Sequence, residues 1–113
     1  MTDFSWLERT ELLVGEDQLN KLIYSNVLIV GLGGVGSFAA EFICRSGVGN
    51  MTIIDGDMVS ESNRNRQMAA LVSTNGKGKA EIMKERLLDI NPELKINSIQ
   101  EYIKDERMEE LLQ

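Results

Sequence analysis

The feature that most constrains the fold is the stretch VLIVGLGGVG, over residues 27–36. Its first four residues are apolar and mostly β-branched, which predicts a strand buried in a parallel sheet. Gly31, Gly33 and Gly36 then match the pattern G-x-G-x-x-G, and Gly34 adds another position without a side chain. Apolar residues at helical spacing follow. We therefore expect a strand, a tight turn and a helix.

This arrangement is typical of a phosphate-binding turn. The first glycine permits the turn, the second lets a phosphate approach the backbone, and the third lets helix and strand pack closely. Amides at the helix N-terminus then face the anion. Asp55 ends the second apolar run, NMTIID, where an acid that binds ribose hydroxyls is expected. Strand, glycines, helix and acid agree, so we favour a nucleotide site over a tight turn without a ligand.

The order of patterns along the chain predicts an α/β fold. Apolar runs alternate with helical patterns, so we expect a Rossmann-like, doubly wound, mainly parallel sheet with right-handed crossovers. A short helix is expected near residues 67–71, and residues 1–25 are expected to form an N-terminal helical arm. We predict strands and crossover helices at residues 26–31, 33–47, 50–57, 79–91 and 94–99, and a further helix from residue 105.

We expect residues 1–113 to form a single nucleotide-binding, Rossmann-like domain. The last helical pattern, EELLQ, stops with the chain. The sequence therefore predicts the N-terminal half of a longer domain, truncated at its C-terminus.

Composition excludes several classes of function. The chain has no histidine and one cysteine, so within it histidine catalysis and cysteine zinc sites are excluded. We interpret Cys44 as a packing residue and Glu41 as surface exposed. No apolar run reaches the ~20 residues of a membrane span, and the N-terminus does not resemble a signal peptide. We therefore predict a cytoplasmic protein that does not contact membranes.

Positive charge is concentrated in one part of the acidic chain. The net charge is -6, yet half of the Lys and Arg residues lie between residues 60 and 86. Such a patch suits a small anion better than a long polyanion. Arg66 can act as a forked phosphate clamp, and Lys79 is a point charge at the start of a helix. Cations so close to a phosphate loop favour a triphosphate over NAD.

With these residues assembled, the chain resembles the ThiF/MoeB/HesA family, the adenylating domain shared with ubiquitin-activating enzymes. The resemblance runs from about Arg9 to Pro92. It rests on RTELLVGEDQLNKL, VLIVGLGGVGS, SGVGNMTIIDGDMVSESNRNRQ and GKGKAEIMKERLLDINP, in that order. Within the family, NRNRQ, GGVGSFAAE and RSGVG most resemble the tRNA-modifying dehydratases that cyclise threonylcarbamoyl-adenosine.

The resemblance implies a role for each matching residue. Arg9 corresponds to an arginine that enters the neighbouring protomer's ATP site, which implies a homodimer. Asp55 would hold the ribose, and Asp57 would lie nearby. The nucleotide loop would be formed by Gly31, Gly33, Gly34 and Gly36, and the phosphate contacts by Asn63, Arg66 and Lys79, with Gln67 supporting that segment.

The resemblance also implies the chemistry. A substrate carboxylate would attack the α-phosphate of Mg²⁺-bound ATP, giving an acyl-adenylate and pyrophosphate. In the dehydratase branch the activated carboxylate is captured within the same tRNA, which closes a ring. Catalysis of this kind needs positioning and charge stabilisation rather than a protein nucleophile. The family's magnesium ligand and substrate-binding half would lie beyond residue 113, so we expect this chain alone to bind ATP weakly and to turn nothing over.

Two other functions remain open from the sequence. One is adenylation of a ubiquitin-like sulfur carrier for thiamine or molybdopterin synthesis, with a sulfur-relay protein as partner. The other is a non-catalytic regulatory module that binds NAD. Loss of Arg66 and Lys79 would weaken binding of ATP but not of NAD, which separates the second from the enzymes.

Overall fold

The computed structural model describes residues 4–67, 70–102 and 110–111. The elements within them follow the predicted order. Short 3₁₀ helices lie at Ser5–Leu7, Glu61–Asn65 and Val72–Thr74. The remaining elements are α1 Glu8–Val14, α2 Glu16–Ile23, β1 Asn26–Val30, α3 Gly34–Arg45, β2 Asn50–Ile54, α4 Lys79–Ile90 and β3 Lys95–Ile99.

The three strands form a parallel sheet in the order β1-β2-β3, with β2 in the middle. Val30 pairs with Ile54, and Ile54 pairs with Ile99, so all three strands end at the same edge. The Gly31 amide donates to the Ile54 carbonyl at 2.8 Å, which continues the pairing into the glycine turn. The predicted Rossmann-like α/β architecture is confirmed. The loops that follow the strands therefore gather at one edge, where open α/β sheets bind ligands.

Both crossover helices cover the same face of the sheet. Met51 and Ile53 of β2 pack in one cluster with Cys44 of α3 and with Met83 and Leu87 of α4. Burial of one such side chain stabilises the fold by roughly 1.5–3 kcal/mol. Cys44 is buried, as predicted, and its thiol lies 3.6 Å from the Leu87 carbonyl. Burial raises the pKa of the Cys44 thiol to about 11, so the reactive thiolate is disfavoured.

Only part of the apolar pattern that predicted α3 faces the core: Ile43 packs against the core cluster, but three other residues of the pattern do not. Val35, Phe38 and Phe42 are exposed, and the two phenylalanine rings stack at 6.3 Å. The helix turns its small residues, such as Ala40 and Cys44, toward the sheet. Small side chains let the helix approach the strands closely, and this packing outweighs the larger area of the aromatic rings.

The interpretation of Glu41 as a surface residue is wrong. Its exposed fraction is 5%, and its carboxylate accepts a 2.7 Å hydrogen bond from the Arg86 guanidinium of α4. Arg45 lies 3.6 Å from the same oxygen. A buried carboxylate requires such partners because an unpaired charge is costly to desolvate.

The prediction of a short helix near residues 67–71 is also wrong at the positions that the structure describes. Gln67, Ala70 and Leu71 are not helical, and Leu71 is extended with φ -128° and ψ 164°. Helical turns form instead on either side, where Ser60 and Thr74 supply local side-chain hydrogen bonds that stabilise short turns. The helix predicted from residue 105 lies outside the described residues, except for residues 110–111, which are helical.

The N-terminal helices pack on the end of the domain away from the glycine turn. Leu7 and Leu19 are buried, and both side chains pack next to Gly47, which lies just after α3. The division into an arm over residues 1–25 and a single truncated domain stays a prediction. In the described part of the chain, no helix has the length and apolar content to cross a membrane.

Candidate nucleotide-binding site

The glycine turn joins β1 to α3 and has the shape that the pattern predicts. Gly31 has φ +89°, which a residue with a Cβ rarely adopts. A Cβ at Gly36 would lie 1.8 Å from the Gly31 carbonyl oxygen, so only glycine permits this close approach. The N-cap residue of α3 is Gly33, which has no side chain to cap the helix. The helix dipole and the first amides of α3 therefore make this end of the helix suited to an anion.

Asp55 links the glycine turn to the end of β2. Its Oδ2 accepts a 2.6 Å hydrogen bond from the Leu32 amide, and its Oδ1 accepts one of 2.7 Å from the Asp57 amide. An ionised carboxylate accepts about four hydrogen bonds, so acceptor capacity remains for ribose hydroxyls. Asp55 lies directly beside the turn, which is where the sequence predicts a ribose ligand.

Lys79 reaches the site through a short pairing of two loop segments. Met58 and Gly78 form an antiparallel bridge, and the Lys79 amide donates to the Asp57 carbonyl at 3.1 Å. The Lys79 side chain is buried, and its Nζ lies 3.7 Å from the Asp57 Oδ2. A buried ammonium requires an anionic partner, and Asp57 supplies one that is itself exposed to solvent.

Arg66 and Gln67 lie over the glycine turn. A Cβ on Gly34 would fall 3.7 Å from the Arg66 carbonyl oxygen, and one on Gly33 would fall 3.8 Å from the side-chain Nε2 of Gln67. The Arg66 guanidinium donates to the Ser62 carbonyl and to the Asn65 side chain, at 3.1 and 2.9 Å. The structure thus brings the Arg66 backbone to the turn, with its exposed guanidinium held along the preceding 3₁₀ helix.

Gln67 carries a buried acceptor that has no partner among the described residues. The side chain is 9% exposed, and its Oε1 makes no hydrogen bond there. Leaving a buried acceptor unsatisfied costs about 1–3 kcal/mol. Such an atom beside the turn marks a position where a donor from a ligand would be stabilised.

Asn63 has a structural task in the same segment. Its side-chain oxygen accepts hydrogen bonds from the amide and hydroxyl of Ser60, at 3.2 and 3.0 Å. This closes the 3₁₀ helix at Glu61–Asn65 and fixes the path of the chain toward Arg66. Contact of Asn63 with phosphate stays a prediction.

Arg9 is not brought to this site within the same chain. It is exposed on α1, whose main contacts are with α2 and the turn at Ser5–Leu7. The role of Arg9 in a neighbouring protomer stays a prediction. Among the described residues, no group of three or more acids, cysteines or histidines could hold a metal ion.

Sequence reasoning missed Tyr102, which lies at the same edge of the sheet just after β3. Its phenol donates a 2.6 Å hydrogen bond to the Asp57 Oδ1, and its ring lies over Gly56. Ligands of open α/β sheets bind at the carboxyl ends of the strands, and this rule could have identified Tyr102 as a candidate. It was missed because it lies in a polar stretch that matches no motif.

Comparisons with known proteins match the chain to one family. The model of the ThiF family matches residues 7–113. The chain is 45% identical over 102 residues to the tRNA threonylcarbamoyladenosine dehydratase of Bacillus subtilis, a match covering 90% of this chain and 40% of that protein. It is 38% identical over 96 residues to the molybdopterin-synthase adenylyltransferase of Haemophilus influenzae, covering 85% of this chain and 40% of that protein.

A solved structure shows the same fold. The Escherichia coli tRNA N6-threonylcarbamoyladenosine dehydratase in complex with ATP superposes with a TM-score of 0.91 at 36% identity, covering 99% of this chain and 47% of that one. The chain thus spans less than half the length of these relatives. Since the family model covers nearly the whole chain and the fold and turn agree with it, the chain belongs to the ThiF family.

Proposed function

We propose that the chain binds ATP in an enzyme that activates a substrate carboxylate by adenylation. The observation that carries this proposal is the convergence of the glycine turn, Asp55 and the buried cation Lys79 at one edge of the sheet. NAD has no terminal triphosphate, whereas ATP gives such a cation a group to neutralise. A family relative is seen with ATP bound, which supports the same ligand here.

Each residue has a role in this proposal. The turn formed by Gly31, Gly33, Gly34 and Gly36 surrounds the nucleotide, and Asp55 binds the ribose. Lys79, Arg66 and Asn63 contact the phosphates, while Gln67 supports the turn and Asp57 holds Lys79. Arg9 would complete the site from a second protomer of a homodimer. Mg²⁺ would enter with the phosphates of ATP and take a ligand from outside the described residues.

These residues stabilise charge as the reaction proceeds. A carboxylate oxygen of the substrate attacks the α-phosphate, the bond between the α- and β-phosphates breaks, and pyrophosphate leaves with the electron pair. Lys79 and Arg66 offset the negative charge that moves onto the leaving group. The product is an acyl-adenylate, in which AMP is a far better leaving group than the oxide of a free carboxylate.

The substrate that we propose is threonylcarbamoyl-adenosine in tRNA. The relative with 45% identity carries that activity in its name. An internal nucleophile of the modified nucleoside would displace AMP and close a ring, with net loss of water. A second candidate is the C-terminal carboxylate of a ubiquitin-like sulfur carrier, which the similarity to molybdopterin-synthase adenylyltransferase favours.

Chimeras test the proposal, because the chain spans less than half of its relatives. In one, this chain replaces the matching part of the E. coli dehydratase; in the other, the matching part of the H. influenzae adenylyltransferase. We expect the first to release pyrophosphate and cyclise the nucleoside in modified tRNA, and the second to be inactive with its sulfur carrier.

Activity of the second chimera with its sulfur carrier, together with inactivity of the first on tRNA, would identify the chain as part of a sulfur-carrier enzyme. Inactivity of both chimeras with ATP binding retained would contradict adenylation. Lys79→Ala supplies the inactive control, and Lys77→Ala, at an exposed cation in the same loop, is the matched control.

A further inference from the structure

Tyr102 lies where the ribose end and the phosphate end of the site meet. It follows β3, and its ring lies so close to Gly56 that a Cβ there would fall 2.7 Å from two ring carbons. Ring and turn border an open pocket of about 180 Å³, which Gly31, Asp55 and Asp57 also line. The ring thus forms a wall of the space next to the predicted ribose ligand.

The phenol of Tyr102 begins a series of contacts that ends at Lys79. It donates a 2.6 Å hydrogen bond to one oxygen of the Asp57 carboxylate. The other oxygen lies 3.7 Å from the Lys79 ammonium. The Asp57 backbone is fixed as well, because its amide donates to Asp55 and its carbonyl accepts from Lys79. Asp57 is therefore held from three sides.

The length of the ion pair is informative. Charge-assisted hydrogen bonds between an ammonium and a carboxylate measure about 2.7–2.9 Å. At 3.7 Å, Asp57 offsets the charge of Lys79 without engaging it in a full hydrogen bond. Lys79 thus keeps donor capacity for another anion. Without the phenol, the carboxylate would be free to close onto the ammonium, and that contact would compete with a phosphate.

We propose that Tyr102 is a positioning residue, which holds the Asp57 carboxylate so that Lys79 remains available to a phosphate. This inference rests on the proposed function, because it takes the ligand of Lys79 to be a nucleoside triphosphate. The surrounding charges favour the protonated phenol that the contact requires. The hydrogen bond to Asp57, with a smaller effect of the Asp55 charge, raises the pKa of Tyr102.

Binding of Mg²⁺-ATP and of adenosine to Tyr102→Phe tests the proposal. This change keeps the ring and removes only the hydroxyl. We expect ATP affinity to fall about 3- to 10-fold, the range for one hydrogen bond, and adenosine affinity to change less than about 2-fold. Tyr24→Phe is the matched control, since Tyr24 is the other tyrosine and is equally exposed at the end of α2. It is expected to leave both affinities unchanged.

A double-mutant cycle distinguishes a positioning role of the Tyr102 hydroxyl from a role in which the ring only borders the pocket. In an Asp57→Asn background, Tyr102→Phe is expected to lose its effect on ATP, because the two residues act as one unit. An equal loss of ATP and adenosine affinity, no loss at all, or additive effects of the two substitutions would each overturn the proposal.

Titration of the phenol distinguishes failure of this inference from failure of the proposed function. In the Tyr24→Phe variant Tyr102 is the sole phenol, so its ultraviolet titration can be followed directly. We expect Asp57→Asn to lower its midpoint, and an unchanged midpoint would show that the contact is absent. If the midpoint falls but the unsubstituted chain binds no ATP, the contact stands, while the proposed function and the phosphate role of Tyr102 are both overturned.

Discussion

Single residues at this site serve the fold and the proposed ligand together. Asp55 accepts two backbone amides, one from the glycine turn and one from Asp57. Lys79 is buried, and among the described residues the other buried charge is Glu41. An ammonium in such a place is strongly disfavoured unless its charge is matched. Asp57 offsets that charge from 3.7 Å, a distance that leaves Lys79 able to donate to a further anion.

Lys79→Ala tests that argument. Removing a charged donor to phosphate is expected to weaken Mg²⁺-ATP binding by about 10- to 100-fold, which corresponds to ~1.5–3 kcal/mol. Lys77→Ala removes an exposed cation two positions before Lys79, and it is expected to change the affinity little. Calorimetric titration of both variants measures the difference. Equal affinities would place Lys79 outside the phosphate site.

Gly36→Ala tests the geometry of the turn. The added Cβ would overlap the Gly31 carbonyl oxygen, which is backbone and cannot move aside. We expect a loss of about 2 kcal/mol or more in the free energy of unfolding, measured by urea denaturation. Gly34→Ala is the matched control, because its Cβ would make ordinary contacts at 3.7 Å. Equal stability of the two variants would contradict the observed packing of α3.

The sequence alone was sufficient to find the residues that carry local motifs. Gly31, Asp55 and Lys79 follow from a strand, a turn and a helix start, each readable within a few positions. The roles of Glu41 and Tyr102 could not be predicted in this way, because their hydrogen-bond partners are 45 positions away along the chain. Contacts of that kind depend on how the elements pack, and no short pattern encodes them.

At the scale of elements, the buried carboxylate of Glu41 ties α3 to α4. This matters for function because α3 begins at the glycine turn and α4 begins at Lys79. This ion pair between the helices thus fixes the relative positions of the two parts of the proposed phosphate site. The apolar spacing of α3 indicated its existence but not the face that it buries, because small residues pack closest to the sheet.

Arg86→Ala tests this tie. The substitution removes the 2.7 Å partner of a carboxylate that is 5% exposed. The Arg86 side chain is 41% exposed, so solvent screening limits the expected loss to about 1 kcal/mol in the free energy of unfolding. Arg45→Ala breaks a longer contact of 3.6 Å at a more exposed arginine and is expected to cost less than ~0.5 kcal/mol. Thermal denaturation compares them, and equal losses would contradict a specific role for Arg86.

At the scale of the whole molecule, the two crossover helices α3 and α4 share one face of the sheet. On the other face Ile54 is buried, Leu28 and Thr52 are half-buried, and Asn97 is exposed. The element order and the parallel sheet were predictable because crossover connections have a fixed hand. The substrate was not, since the chain spans less than half the length of its relatives and the described site concerns the nucleotide.

The central claim is that the glycine turn and Lys79 together bind a triphosphate. Calorimetric titration of the unsubstituted chain with Mg²⁺-ATP, AMP and NAD tests it most directly. We predict that ATP binds, though weakly, and more tightly than AMP or NAD, and that Lys79→Ala removes most of the preference for ATP over AMP. Tighter binding of NAD than of ATP, unchanged by Lys79→Ala, would contradict the claim.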